Sequence, residues 1–167
     1  MILGLSLSAF TLLHVIISLI AIAAGLVVMV GLFGSSRMPV MTAIFLLFTI
    51  LTSATGFLFP FTQLLPSHMI GILSLVLLAV ACIALYAMKL SGPWRGVYVL
   101  TALISLYLNI FVLVIQSFLK IPSLQVLAPG NPPTGPVFAV VQGLILVVFV
   151  AVIVGAWRRF RPMPAYA

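Results

Sequence analysis

The sequence has no aspartate and no glutamate among its 167 residues. Without side-chain carboxylates, the chain lacks the usual ligands for Mg²⁺ and Ca²⁺, two of the common general bases, and the acidic rings that line cation pores. Charged residues of every kind make up 4% of the chain, whereas about a quarter of a soluble globular domain is charged. The composition therefore excludes a soluble globular domain and disfavours carboxylate-coupled transport of protons or sodium ions.

Residues that carry catalysis or bind metal ions are also scarce. A single cysteine, Cys82, cannot form a disulfide bond within the chain, which excludes a disulfide scaffold. A zinc site needs three or four ligands, and the chain offers only two histidines and a cysteine in the middle of an apolar segment. We therefore expect no metal site. Because no GxSxG, HExxH, P-loop or dinucleotide-binding motif is present, we also expect no enzyme and assign no catalytic residue.

Long apolar segments dominate what is present, since hydrophobic residues make up 65% of the chain. Each of five segments approaches the length that a helix needs to cross about 30 Å of hydrocarbon. Lipid offers no hydrogen-bond partner to a free backbone amide, so these segments should be helical. The predicted helices cover residues 5–33, 40–59, 67–88, 96–119 and 136–157. The sequence thus predicts an all-α polytopic membrane protein, with residues 1–167 forming one five-helix transmembrane bundle in the lipid bilayer.

The seven basic residues set the direction of the predicted bundle. Five crossings place six of them on one side of the membrane: Arg37, Lys89, Arg95, Arg158, Arg159 and Arg161. Lys120 falls on the other side. Because cytoplasmic loops are enriched in Lys and Arg, we predict an outer N-terminus and a cytoplasmic C-terminus. The formal charge of +7 then reflects topology and not nucleic-acid binding.

Aromatic residues and prolines mark the predicted membrane boundaries. The aromatic belt expected at the cytoplasmic interface consists of Trp94, Tyr98 and Trp157. The longest connection, residues 120–135, should lie outside, and its four prolines restrain its backbone. Within this proline-rich outer loop we expect one short helical turn over residues 123–127 and extended backbone over residues 131–133.

Polar residues recur at helical spacing along the predicted helices, for example at Thr11, His14 and Ser18. Stripes of small and hydroxyl side chains are typical of helix packing in membranes, and Ser or Thr can also bond the carbonyls of its own helix. The longer polar side chains concentrate in the outer half of the bundle: His14, His68, Asn109, Gln116 and Gln142, with Gln63 and Lys120 at the rim. We hypothesise that they line an outward-facing pocket that binds a ligand. The alternative is that each of them packs separately.

Two ligands suit such a pocket. Haem b needs both imidazoles at similar depth on facing helices, with a gap for the macrocycle. A quinone needs only a histidine and an amide as hydrogen-bond donors beside aromatic walls. Candidate wall residues are Phe57, Phe59, Phe61, Tyr107, Phe111 and Phe118.

Three segments carry a resemblance: TSATGFLFPF (Thr52 to Phe61), LPSHMIGILSL (Leu65 to Leu75) and LYLNIFVLVIQSFLKIP (Leu106 to Pro122). In these segments the chain resembles a group of small proteobacterial five-helix membrane proteins to which no activity is assigned. The resemblance implies a location in the bacterial inner membrane. Relatives in that group often carry acidic or histidine residues where this chain has Thr62 and Gln63. The stretch from His14 to Gly34 also resembles haem-binding four-helix membrane cytochromes, an analogy of fold that transfers no function.

Three functions remain open from the sequence. The first is a non-enzymatic structural or accessory subunit, which packs with other integral membrane proteins or forms a homo-oligomer. The second is a small-ligand binder that uses the outer polar cluster. The third is a channel or transporter for a neutral solute, which would need broken helices or a continuous polar path.

Overall fold

The computed structural model describes residues 2–60 and 66–162. Six α-helices lie in this part of the chain: α1 (Leu7–Phe33), α2 (Pro39–Gly56), α3 (Pro66–Cys82), α4 (Trp94–Lys120), the short α5 (Pro122–Gln125) and α6 (Pro136–Arg159). α3 continues into one π-helical turn, Ile83–Ala87. Counting α3 with this turn, five of the helices are long and apolar enough to cross a membrane. This confirms the predicted all-α architecture with five such helices.

Capping residues explain several of the observed boundaries. Ser6 caps α1, because its side chain accepts a hydrogen bond from the Ala9 amide at 3.2 Å. Pro39 and Pro136 begin α2 and α6 at positions where a missing amide hydrogen breaks no helical bond. α2 ends at Gly56, three residues before the predicted end at residue 59, and Pro60 disfavours helical backbone at Phe59 directly ahead of it.

α4 is the central helix of the bundle. It contacts α1, α2, α3 and α6, while α1 also contacts α2 and α6, and α2 contacts α3. Buried apolar side chains from four helices meet at the centre: Val28, Phe45, Leu78 and Leu106. This apolar core fixes which face of each helix points outward.

Gly25 allows α1 to approach α2 and α4 at this centre. A Cβ atom on Gly25 would lie 2.6 Å from Leu106 Cδ1 and 2.9 Å from the Phe45 ring. Both of those side chains are fully buried and have little room to move. The close contact therefore requires a residue without a side chain. Small residues allow the same close approach at helix contacts in membranes.

Contacts between distant segments bring most of the basic residues to one end of the bundle. Ser35, after α1, donates a hydrogen bond to the Arg159 carbonyl at 2.8 Å. Arg95, in the first turn of α4, donates to the Trp157 carbonyl at 3.3 Å. We call this end, where α1 and α6 finish and α4 starts, the basic end; its cations are Arg37, Lys89, Arg95, Arg158, Arg159 and Arg161. Lys120 lies at the opposite end of α4.

Two local expectations were wrong. Tyr98, predicted for an interfacial belt, is only 2% exposed, because Phe160 packs on it with ring centroids 6.2 Å apart. Residues 131–133 form a turn and not extended backbone. This turn is closed by Thr134, whose hydroxyl and amide both donate to the Pro129 carbonyl, at 2.8 and 3.3 Å. The short helix α5, Pro122–Gln125, overlaps residues 123–127, where a helical turn was expected.

The Gly25 contact predicts a stability difference between two glycines. We expect Gly25→Ala to lower the free energy of unfolding by about 1–3 kcal/mol, because the methyl group overpacks a filled core. The matched control is Gly143→Ala on α6, where a Cβ atom meets nothing within 4 Å. Unfolding in mixed detergent micelles measures both variants, and equal losses for the two would contradict this account of the core.

Candidate functional site

His14 joins α1 to the end of α2. Its Nδ1 lies 2.7 Å from the Thr55 hydroxyl oxygen, and that hydroxyl donates its own proton to the Leu51 carbonyl at 2.7 Å. The hydroxyl oxygen therefore accepts from His14, which places a proton on Nδ1. The ring edge of Phe59 completes the contact, with centroids 5.2 Å apart at 86°. His14 thus acts as a partly buried link between two helices.

His68, in the first turn of α3, lies against the other side of α2. It is 5% exposed, and its ring lies 5.6 Å from the Phe57 ring, centroid to centroid. One turn further along α3, a Cβ atom on Gly71 would lie 3.1 Å from the same Phe57 ring. The seam continues deeper with Ser53, whose hydroxyl donates to the Ser74 hydroxyl at 3.1 Å.

The two histidines are therefore separated by α2. Thr55, which contacts His14, and Ser53, which faces α3, are two residues apart, or about 200° around the helix axis. The contacts of the two imidazoles therefore lie on different sides of the end of α2, whereas haem b requires both imidazoles on facing helices. Among the described residues, His14 and His68 do not form this arrangement.

Gln142 links α6 to α4. Its side chain is 8% exposed, and Nε2 donates to the Phe111 carbonyl at 3.1 Å. Aromatic contacts extend this seam in both directions along α6, with Tyr107 5.5 Å from Phe149 and Phe118 5.4 Å from Phe138, centroid to centroid. The buried Oε1 of Gln142 bonds none of the described residues.

Asn109 and Gln116 complete the predicted set, on a different side of α4. Asn109 lies about 160–200° around the α4 axis from Tyr107 and Phe111, at 100° per residue. Its buried Nδ2 bonds none of the described residues. Gln116 is exposed one turn before Lys120.

The structure thus places four of the five predicted residues on different helix surfaces, and the fifth, Gln116, is exposed. His14 and His68 both reach the end of α2 from opposite sides, while Gln142 and Asn109 lie on opposite sides of α4. The candidate aromatic walls divide in the same way, since Phe57 and Phe59 follow the end of α2, whereas Tyr107, Phe111 and Phe118 belong to the α4–α6 seam. Phe61, Thr62 and Gln63 lie outside the described residues.

Hydroxyl side chains in the helices mostly bond the carbonyl one turn back in their own helix. The donors with such a bond are Thr11, Ser18, Thr49, Thr52, Thr55, Thr101, Ser105 and Ser117. Such a bond satisfies the hydroxyl without any partner on another helix. The polar stripes seen in the sequence therefore serve the helices themselves and do not mark a shared site.

A network at the basic end was missed by the sequence analysis. The Arg95 guanidinium donates to the carbonyls of Trp157 and Phe160, at the C-terminus of α6. A cation at this position donates to carbonyls that have no helical partner, and it interacts favourably with the negative end of the helix dipole. Ser35 adds two bonds, donating to the Arg159 carbonyl at 2.8 Å and accepting from the Arg161 amide at 3.0 Å.

Apolar contacts reinforce this network. Phe160 is fully buried against Tyr98, and the Trp157 indole lies against Gly96, where a Cβ atom would approach it to 2.6 Å. An apolar residue between Arg159 and Arg161 was the one signal in the sequence. That signal does not reveal which helix the phenyl ring meets.

Two grooves indent the described surface near the basic end. One, of about 450 Å³, is lined by Leu26, Val27, Val30, Gly31, Ser36 and Met38. The other, of about 230 Å³, is lined by Ile153, Val154, Trp157 and Arg158. Neither groove includes any of the five residues predicted to bind a ligand.

The chain matches no protein-family model, no curated protein and no solved structure. The resemblance to small proteobacterial membrane proteins therefore stays a prediction. Conclusions about function must come from the contacts described above.

The network at the basic end predicts a specific role for Arg95. We expect Arg95→Gln to lower the free energy of unfolding by about 1–2 kcal/mol, since bonds from a charged donor exceed neutral ones and this site is partly exposed. Lys120→Gln, which removes a cation from the last turn of α4, should lower stability less, because Lys120 is exposed and its side chain bonds none of the described residues. Unfolding in mixed micelles measures both, and an unchanged Arg95→Gln variant would show that the capping bonds contribute nothing.

Proposed function

We propose that the chain is a non-enzymatic accessory subunit that crosses the bacterial cytoplasmic membrane five times and packs with other integral membrane proteins. Five helices with sufficient length and apolarity support the crossings. The connections between them are short, at residues 34–38, 57–65, 88–93 and 121–135. Little of this chain is therefore left to act outside a membrane.

The use of polar side chains supports a packing role. His14 and Gln142 each bond an atom of a neighbouring helix, and Ser53 bonds Ser74 across the α2–α3 seam. Interhelical bonds of this kind contribute about 0.6 kcal/mol each in membranes. These groups hold the bundle together, and they do not converge on a common substrate position.

The filled centre of the bundle argues in the same direction. Phe45, Leu78 and Leu106 come from three different helices, are fully buried and belong to one hydrophobic cluster. A conducting pathway would need polar groups or water at this depth. A close-packed apolar centre is the arrangement of a structural bundle.

The outward face of α6 is the observation that carries the proposal. Only Gln142, Phe149 and Ala156 of α6 are buried. Its exposed side presents small or β-branched residues at every fourth position: Ala139, Gly143, Val147 and Ala151. We call these four residues the α6 stripe. Stripes of small residues let transmembrane helices approach closely, and in lipid this close contact is what drives helix association.

The α6 stripe predicts where a partner binds. Gly143→Leu and Ala151→Leu should each abolish co-purification of partner proteins in mild detergent, because the larger side chain prevents close approach of a second helix. The matched control is Ala23→Leu, which adds the same side chain at an exposed position of α1. Chemical crosslinking followed by mass spectrometry would identify the partner.

Two results would contradict the subunit proposal. One is a monodisperse single chain in mild detergent, with no crosslinked partner in the native membrane. The other is loss of partners with Ala23→Leu but not with Ala151→Leu. A second copy of this chain as the crosslinked partner would support packing through α6 and would replace the accessory role by a homo-oligomer.

The proposed direction in the membrane has its own test. In a Cys82→Ala background, Ser123→Cys should react with a membrane-impermeant maleimide added to intact cells, because α5 would lie outside. Ser36→Cys, the same substitution at the basic end, should react only after the cells are opened. Both serines are exposed, so access depends on sidedness alone. The opposite labelling pattern would show that the bundle has the reverse orientation in the membrane.

A further inference from the structure

The cations of the basic end have no carboxylate side chain to pair with, because the chain contains no aspartate or glutamate. Arg95 is satisfied by backbone carbonyls. The side chains of Arg158 and Arg159 are exposed, and neither forms a bond or ion pair with any part of the chain that the structure describes. No described group of the chain therefore neutralises these two cations, and an anion of another molecule can do so.

A groove beside Arg158 combines this unpaired cation with an apolar floor. It has a volume of about 230 Å³ and is lined by Ile153, Val154, Trp157 and Arg158. Ile153 lies about 7.5 Å below Arg158 along the helix axis, at 1.5 Å per residue. The apolar part of the groove therefore lies nearer the middle of α6, and the charge lies at the end of the helix.

The groove is held in shape by its aromatic wall. Trp157 lies against Gly96 so closely that a Cβ atom there would come within 2.9 Å of three indole carbons. The Trp157 carbonyl is also bonded by Arg95. Contacts of both the ring and the backbone therefore hold this wall of the groove in place.

We propose that this groove binds an anionic phospholipid, with the phosphate group on Arg158 and an acyl chain on Ile153 and Val154. Arg159, at the same helix end, adds to the attraction. Charge complementarity identifies the head group, since basic clusters beside transmembrane helices attract anionic lipids. The apolar floor favours a lipid over an acidic protein segment, because it lies on the exposed side of α6 where acyl chains have access. The inference does not depend on a protein partner.

The test uses the full chain in detergent and measures lipid binding by native mass spectrometry. Phosphatidylglycerol is the probe, and phosphatidylethanolamine is its zwitterionic counterpart. The intact chain should prefer phosphatidylglycerol. The double variant Arg158→Gln/Arg159→Gln should bind phosphatidylglycerol about 25-fold more weakly, since each basic residue near a membrane surface contributes about fivefold. Lys120→Gln, at the opposite end, should bind it unchanged.

A second pair of variants distinguishes lipid binding in the groove from attraction by charge alone. Val154→Trp fills the apolar floor and keeps every cation, so it should also lose phosphatidylglycerol. Arg158→Lys/Arg159→Lys keeps both charges at the helix end and should retain most of the preference for phosphatidylglycerol. Circular dichroism and elution volume should match those of the unmodified chain for each variant.

Four outcomes would overturn the proposal. Two of them are equal binding of both lipids by the intact chain and an unchanged preference for phosphatidylglycerol in the double glutamine variant. Val154→Trp with unchanged binding would reduce the effect to surface charge without a groove. Capture of an acidic protein that depends on Arg158 and Arg159, without any lipid preference, would assign the basic end to a protein partner instead.

Discussion

Positive charge without side-chain carboxylates is the constraint on which this structure depends. Because the chain has seven cations and no aspartate or glutamate, no side chain supplies a counter-charge; backbone carbonyls and anions of other molecules are two kinds of group that can bind the cations. Arg95 takes the first route, and in doing so it ties the start of α4 to the C-terminus of α6. Arg158 and Arg159 are left for the second route. The lack of carboxylates therefore has two effects at the basic end: Arg95 bonds carbonyls of the chain, and the exposed cations attract anions.

The polar groups inside the bundle obey a related rule. In the hydrocarbon part of a membrane no water is available as a hydrogen-bond partner, so a polar group bonds a nearby donor or acceptor of the protein. Thr49 and Ser105 bond the carbonyls of their own helices, whereas His14 reaches Thr55 across a seam. Once these bonds are made, helix packing accounts for most of the periodic polar residues that the structure describes. The exceptions are the buried Nδ2 of Asn109 and Oε1 of Gln142, which lie on opposite sides of α4.

The sequence predicts the fold well and the site poorly, for physical reasons. Helix number and approximate bounds follow from hydrocarbon thickness and proline positions, which are local properties. Convergence of His14 and His68 depends on which helix lies between them, and uniformly apolar segments carry no signal about helix order. The same limit applies to Phe160, because its partner Tyr98 is more than sixty residues away in the chain. Depth in a membrane can be deduced from one sequence, but neighbours around a helix axis cannot.

α6 is the element in which these features combine. Its inner side is held by Gln142, and its last turn is held by Arg95, so the helix is fixed in rotation while most of its surface stays open. Arg158 follows Ala151 by seven residues, which places it within about 20° of the α6 stripe around the axis. A partner helix on the stripe would therefore end beside the groove at Arg158. A lipid phosphate at that point would neutralise the arginine at the edge of the contact, so a partner would need no carboxylate of its own to approach the basic end.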